Sequence, residues 1–476
     1  MKKFFYKSST LALFAAVLLS SCDPEIDTPS SSAGEADFAK YVAVGNSLTA
    51  GYSDGGLSRA GQLSSYPAIM AEQFQEVGGG EFAQPLFTEE QRNGSGYLRL
   101  AGFTPQGSPI TANVTENLAI RSLSPRLYTK YLEPISNLAV PDIKVADVKT
   151  AGYGSTQGNP YFERITPDNN TSQTYLQRVQ AADHTFFSMW IGNNDVLAYA
   201  TSGGAFSGGM LNSPARSITP TAVFDANYSE LITALTAEGQ KGVLATIPNV
   251  MALPFFTTVG PSVKQTLAAN NIPGFVALTG SGNSRIQVAA EQINAAQNGV
   301  YIPLTAAAYA PLLGQPTGRY WRDLARQVSP SQDAAVVRLT LGGLLLNFQI
   351  DTTAMFGLSA LNPLPSALLL DNTERQLVQA TTEAFNDIIK AQANARGLAL
   401  FDANTYFNSI LGGFSANGVN YSPAFITGNL FSLDGVHPTP RGYAIVANEM
   451  IKAINTKYNA RVPQTDITQY DAVRFP

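Results

Sequence analysis

Along this chain, short runs of consecutive apolar residues alternate with longer stretches in which apolar positions recur every three or four residues. Five runs stand out from Tyr41 onward, at residues 41–44, 135–140, 186–191, 243–247 and 398–401. None alternates cleanly between apolar and polar side chains, as expected of strands covered on both faces in a parallel sheet. Helical patterns separate them. Tyr228, Leu231, Ile232 and Leu235 share one helical face before the fourth run, and Leu377, Val378, Phe385, Ile388 and Ile389 form a stripe before the fifth. Thr373 and Gln376 read as the capping box of that last helix, and Gly397 as its stop. The alternation predicts an α/β domain built on a mainly parallel, five-stranded sheet.

Residues 251–370 are too many for a simple connection and predict an insertion before the last strand, a lid or subdomain with its own small core. It carries Tyr309, Tyr320 and Trp321 and an apolar run at 339–350, read as buried core. The segment GGAFSGG, residues 203–209, reads as a loop at the rim of a site or a plain connection. Residues 459–476 have no pattern and read as a C-terminal tail.

Composition narrows the class. With 45% hydrophobic and 14% charged residues, the 476-residue chain can bury a large core, and a net charge of -5 provides no basic face for a nucleic acid. The first residues stand apart: MKKFFYKSSTLALFAAVLLSSC places three lysines ahead of an apolar stretch, the layout of a secretory signal. No later segment supplies the run of about eighteen uncharged apolar residues that a spanning helix needs. The only cysteine, Cys22, closes this segment. Residues 19–22, LSSC, resemble the lipobox of bacterial lipoproteins. That implies a signal peptide over 1–21, a lipidated Cys22 holding the protein to a membrane of the cell envelope, and a flexible tether over 22–36 before a domain at 37–458. The alternative is an ordinary cleaved signal. One cysteine excludes an internal disulfide and, with His184 and His437 the only histidines, argues against a Cys/His metal centre. SDGG at 53–56 lacks the further carboxylates of a calcium loop.

Ligands of open parallel sheets bind beyond the carboxyl ends of the strands. That rule gathers Ser47, residues 137–142, GNND at 192–195 and Asn249 at one pole, and sends His184, which precedes the third run, to the other. His437 remains as a base. It lies just ahead of a helix that Thr439 caps and Pro440 begins, with Asp434 three residues before it. A serine hydroxyl becomes a nucleophile when a base takes its proton, and the imidazole needs an acceptor to hold its tautomer. Ser47, His437 and Asp434 are candidates for the three parts.

These residues resemble the blocks of the SGNH, or GDSL, family of serine esterases and lipases. GNSLTAG at 45–51 resembles its G-D-S-L block, NLAVPD at 137–142 falls where the second block is expected, GNND resembles G-x-N-D, and DGVHP at 434–438 resembles D-x-x-H. An α/β-hydrolase elbow, G-x-S-x-G, does not fit, since Gly51 comes four residues after Ser47. The resemblance implies a three-layer, flavodoxin-like fold and cleavage of small-molecule, glycan or lipid acyl esters without metal or cofactor. Ser47 would be the nucleophile, His437 the base and Asp434 its partner. The oxyanion donors would be the backbone N–H groups of Ser47 and Asp142 and the side-chain amide of Asn194. Two positions depart from the family pattern. Asn46 replaces an Asp, which should preserve the turn with altered hydrogen bonding. Asp142 replaces a Gly, and its carboxylate would oppose a developing oxyanion unless turned away. Two alternatives stay open: a non-catalytic binding lipoprotein on the same fold, and acyl transfer to a sugar hydroxyl.

Overall fold

The computed structural model describes residues 30–105, 107 and 109–476, so the signal segment and Cys22 lie outside the described residues. Its central sheet has four parallel strands, β1 (Tyr41–Gly45), β2 (Phe186–Trp190), β3 (Lys241–Ala245) and β4 (Ala399–Phe401), lying side by side in that order. Four of the five apolar runs therefore form one α/β sheet. The run at 135–140 differs from expectation. It follows β1 in parallel through three backbone bonds, Ala43 N–H to Ser136 O, Leu138 N–H to Ala43 O and Val140 N–H to Gly45 O, but makes only one isolated bridge, Ala43 with Asn137. Asn137 Oδ1 accepts from the Ala139 N–H, a local bond that competes with a regular ladder, and Pro141 follows with no N–H to give.

The helices that cover the sheet or build the insertion include α1 (Tyr66–Gln75), α2 (Asn194–Ala200), α3 (Thr221–Leu235), α4 (Arg319–Val328), α5 (Ala334–Phe348), α6 (Asn372–Ala395) and α7 (Pro440–Tyr458). Tyr41 and Phe186 are register partners and so point to the same face. There they meet Phe74 of α1, while Phe186 also meets Tyr458 of α7 and Trp190 meets Tyr66. On the other face, where Phe187 and Met189 have no exposed surface, α3 and α6 pack together through stacked Phe224 and Phe385, ring centroids 3.8 Å apart. Helix α6 starts two residues before the expected box. Asp371 is its N-cap, accepting the Glu374 N–H at 2.8 Å while Glu374 Oε2 accepts the Asp371 N–H at 2.9 Å. Here a carboxylate, which also suits the positive end of the helix dipole, takes the place of the expected threonine.

Residues 251–370 hold two buried clusters separate from the main core. One gathers Leu267, Phe275, Val288 and Phe356; the other joins Trp321 and Leu324 of α4 to Leu344 and Phe348 of α5. Ala205 and Phe206 belong to the second cluster, so GGAFSGG packs against the insertion. The apolar run 339–350 is not the buried core it reads as. Only Leu344 and Phe348 of α5 are fully enclosed, whereas Leu339 and Leu346 are 78% and 81% exposed, because the helix is apolar around its whole girth and one side alone has a partner. The ordered body also starts before residue 37. Ser32 bridges Arg461, and the Glu35 N–H donates to Tyr458 O at the end of α7. Among the described residues, no helix is long and apolar enough to cross a membrane.

The Phe224–Phe385 stack joins the two helices on one face of the sheet. Phe385→Ala is expected to cost about 3–5 kcal/mol of unfolding free energy, read from urea titrations, through lost burial and the cavity left behind.

Candidate active site

The first strand delivers a serine to the carboxyl pole of the sheet through a turn that only a glycine permits. A Cβ on Gly45 would run into Thr49 Oγ1 and the carbonyl of Trp190, so the chain can pass this close to β2 only without one. Asn46, with no exposed surface, then caps the helical turn Ser47–Ala50 by accepting the Leu48 N–H at 3.1 Å. Its amide also donates to Asn193 Oδ1 at 3.3 Å, tying the serine turn to the loop after β2. An aspartate at position 46 would have no hydrogen to give in this second bond. Ser47 opens the turn, with 6% of its surface exposed.

Ser47 Oγ lies 2.8 Å from His437 Nε2, and His437 Nδ1 lies 2.8 Å from Asp434 Oδ2. The structure thus brings together three sequence-predicted residues from the two ends of the domain. Asp434 Oδ1 accepts the N–H groups of Val436 and His437, each at 2.8 Å, and the Gly55 N–H donates to Oδ2 at 2.9 Å. Burial pushes the Asp434 pKa up, but the neighbouring His437 charge and these hydrogen bonds outweigh it and bring the carboxyl down to about 2. The carboxylate therefore stays ionised near neutral pH, fixes the proton on Nδ1, and leaves the Nε2 lone pair toward Ser47.

The loop after the serine turn braces this arrangement, a role the sequence reading missed. The Asp54 N–H donates to Ser432 Oγ at 2.8 Å, and Asp54 Oδ1 accepts the Leu433 N–H at 2.9 Å. Asp54 O in turn accepts the Leu98 N–H from a hairpin the sequence did not suggest. Burial raises the Asp54 pKa to about 6; the Leu433 N–H opposes the rise and the charge of Asp434 adds to it. The Tyr52 ring sits 4.7 Å from the His437 ring, and Tyr443 Oη holds Tyr52 O at 2.6 Å. The available signal was SDGG itself, a turn sequence placed just after the serine.

The loop 141–146 and the start of α2 meet beside the serine. Gly192, at φ +113°, takes a conformation that side chains disfavour, and a Cβ there would press on Phe224. Asn194 Nδ2 donates one hydrogen to Ile143 O at 3.0 Å, and the residue lines the same cavity as Ser47 and His437. Fully buried Asp195 clamps the loop by accepting the Val145 and Ala146 N–H groups at 2.8 and 3.3 Å. Burial raises the Asp195 pKa to about 6 in spite of these bonds. Asp142 adopts φ +68°, the left-handed region natural to glycine. Neither its N–H nor that of Ser47 meets a hydrogen-bond acceptor among the described residues. Asp142 itself is exposed. Protein packed near its carboxyl raises the Asp142 pKa above the ordinary value by desolvation, against the pull of His437.

His184 stands apart, with 6% of its surface exposed and its ring nitrogens 2.8 and 2.9 Å from the carbonyl oxygens of Ala182 and Leu235. It is a packed residue at the opposite pole. Asn249 lines the serine cavity while capping a short turn through the Met251 N–H. Neither a protein-family model nor a curated protein matches this chain.

Because the Asp434 pKa lies below its ordinary value of 3.8, the stability it contributes is complete above about pH 4 and is lost as pH falls through about 2. Asp434→Asn removes that contribution. The gap in unfolding free energy between wild type and variant is therefore expected to narrow as urea titrations are moved from about pH 4 toward pH 2.

Proposed function

We propose that this protein is an SGNH-type serine ester hydrolase, exported and held to a membrane of the bacterial cell envelope through Cys22. The observation that carries the reading is the unbroken relay from Asp434 through His437 to Ser47, with 2.8 Å at each step, at the carboxyl end of a parallel sheet. The relay has the parts that a serine nucleophile needs, namely a base in contact with the hydroxyl and a carboxylate that orients the base. Counting residues 135–140 as a fifth, irregular strand beside β1 gives the flavodoxin-like order. The serine turn and the GNND loop then flank the point where the strand order reverses, the usual place for a ligand.

In the proposed reaction Ser47 Oγ bonds to the acyl carbon while its proton passes to His437 Nε2. The carbon–oxygen bond to the alcohol breaks, and Nε2 returns that proton to the departing oxygen. Water then repeats the sequence on the acyl-enzyme and regenerates Ser47. The free N–H groups of Ser47 and Asp142 and the second amide hydrogen of Asn194 are the donors for the oxyanion.

Ser47→Ala is expected to abolish hydrolysis of p-nitrophenyl butyrate and labelling by a fluorophosphonate while the thermal melt stays unchanged. Full turnover in this variant would sink the proposal. Asn194→Ala should lower kcat by about 10²- to 10³-fold, the usual effect of deleting one oxyanion donor. For the anchor, Cys22→Ser in the full-length chain should move the protein from the membrane fraction to the soluble one; unchanged fractionation would remove that part of the reading.

A further inference from the structure

Ser53 and Gly56 exchange both backbone hydrogen bonds, at 2.9 and 3.0 Å, so Asp54 and Gly55 form a two-residue hairpin turn. Both take positive φ, +55° and +75°, a conformation that aspartate and glycine tolerate. The turn faces the loop that carries Asp434 and His437. The Asp54 N–H donates to Ser432 Oγ at 2.8 Å, and Ser432 Oγ donates to Asp434 Oδ1 at 3.2 Å. The Gly55 N–H reaches Asp434 Oδ2, and Asp54 Oδ1 takes the Leu433 N–H, each at 2.9 Å. Ser53 Oγ donates to Pro438 O at 3.2 Å, just beyond His437. Consecutive residues of one turn thus grip the loop before, at and after the residues of the relay.

Of the acceptors in this grip, Asp54 is the one that changes charge near neutral pH. Burial raises its pKa to about 6, whereas Asp434 stays ionised down to about 2. The Leu433 N–H and the charge of His437 pull the Asp54 value down, and the charge of Asp434 pushes it up. Asp54 also lines a space with Tyr97, Arg99, Glu116, Asp471 and Arg474, and Tyr443 of α7 lies within reach of its charge. No hydrogen bond or ion pair joins these side chains to its carboxyl among the described residues. An asparagine would accept the same bond from Leu433 and spare the repulsion between two neighbouring carboxylates. What the charge adds is attraction to His437. That attraction is mutual, so the Asp54 carboxylate favours the imidazolium that forms while Ser47 gives up its proton.

Resting on the ester-hydrolase reading above, we infer that Asp54 is a positioning residue of the relay, its carboxylate tying Leu433, and through it Asp434, in the place that aims His437 Nε2 at Ser47. Protonation of Asp54 exchanges a charge-assisted hydrogen bond for a weaker neutral one and removes the second negative charge near the imidazole. The advantage that Asp54 gives is therefore complete well above pH 6 and is lost as pH falls through about 6. A brace that acted only by its shape would give the same advantage at every pH.

The test uses the full chain and p-nitrophenyl butyrate, with kcat counted per site titrated by a fluorophosphonate so that misfolded molecules drop out. At about pH 8, Asp54→Asn is expected to lower kcat about three- to tenfold, the worth of a charge-assisted over a neutral hydrogen bond, and to leave KM within about twofold. The gap between wild type and variant should close between about pH 8 and pH 5, as Asp54 of the wild type protonates. Asp195, which also titrates near 6, is present in both proteins and cancels from the comparison. Ser432→Ala cuts the link from the Asp54 N–H to Asp434 and keeps both carboxyls, so it should lower kcat by an amount that does not close with pH. Equal kcat per titrated site in wild type and Asp54→Asn at about pH 8, or a gap that stays constant down to pH 5, would overturn the inference. Absence of turnover together with absence of fluorophosphonate labelling at Ser47 in the wild type would instead remove the hydrolase reading beneath it.

Discussion

A single carboxylate ties the two ends of this domain together. Asp434 accepts hydrogen bonds from its own loop, through Val436 and His437, and from Gly55, which is 379 residues away in sequence. An ionised group so enclosed is tolerable only when its lone pairs are filled, and here backbone N–H groups and one imidazole fill them. The same bonds that satisfy the charge also orient His437. Stability of the loop and orientation of His437 are one constraint, and the Asp54 brace extends it to the hairpin that supplies Leu98.

The sheet gives that constraint something rigid to act on. β1 and β2 are buried along their whole length, and their ends present the serine turn and the GNND loop side by side. Asn46 bonds to Asn193 across the gap, and Asp195 holds the loop that carries Asp142. Functional groups on these loops are therefore fixed by buried polar bonds between loops, while the apolar core fixes only the strands beneath. The two layers do different tasks: hydrophobic burial sets the platform, and directional hydrogen bonds set the geometry upon it.

The insertion adds a second wall. It packs around Trp321, Leu324, Leu267 and Phe275 in clusters distinct from the main core, one of which also takes in Ala205 and Phe206, and the Phe255 N–H bonds to Gly435 O inside the loop of Asp434 and His437. Tyr309, Tyr320 and Asp323 of this subdomain line a cavity that reaches His437. Helix α5 completes the second cluster with one side and leaves Leu339 and Leu346 outside.

What the sequence by itself determined was whatever depends on local pattern or on a short spacing. Apolar runs placed four strands of the sheet, because a strand buried on both faces must be apolar throughout. The pole rule separated His184 from His437, because strand direction alone decides which loop lies at which end. Asp434 and His437 were readable together since three residues in one loop keep them within reach. The tertiary structure decided the rest. The bond of Gly55 to Asp434, the brace from Asp54 and the amide bridge from Asn46 to Asn193 join positions far apart in the chain, and no local pattern encodes them. The irregular course of 135–140 and the exposed side of α5 were decided in the same way. In each, the sequence signal was apolarity, and whether an apolar segment becomes a strand or buried core depends on which partner the rest of the chain brings to it.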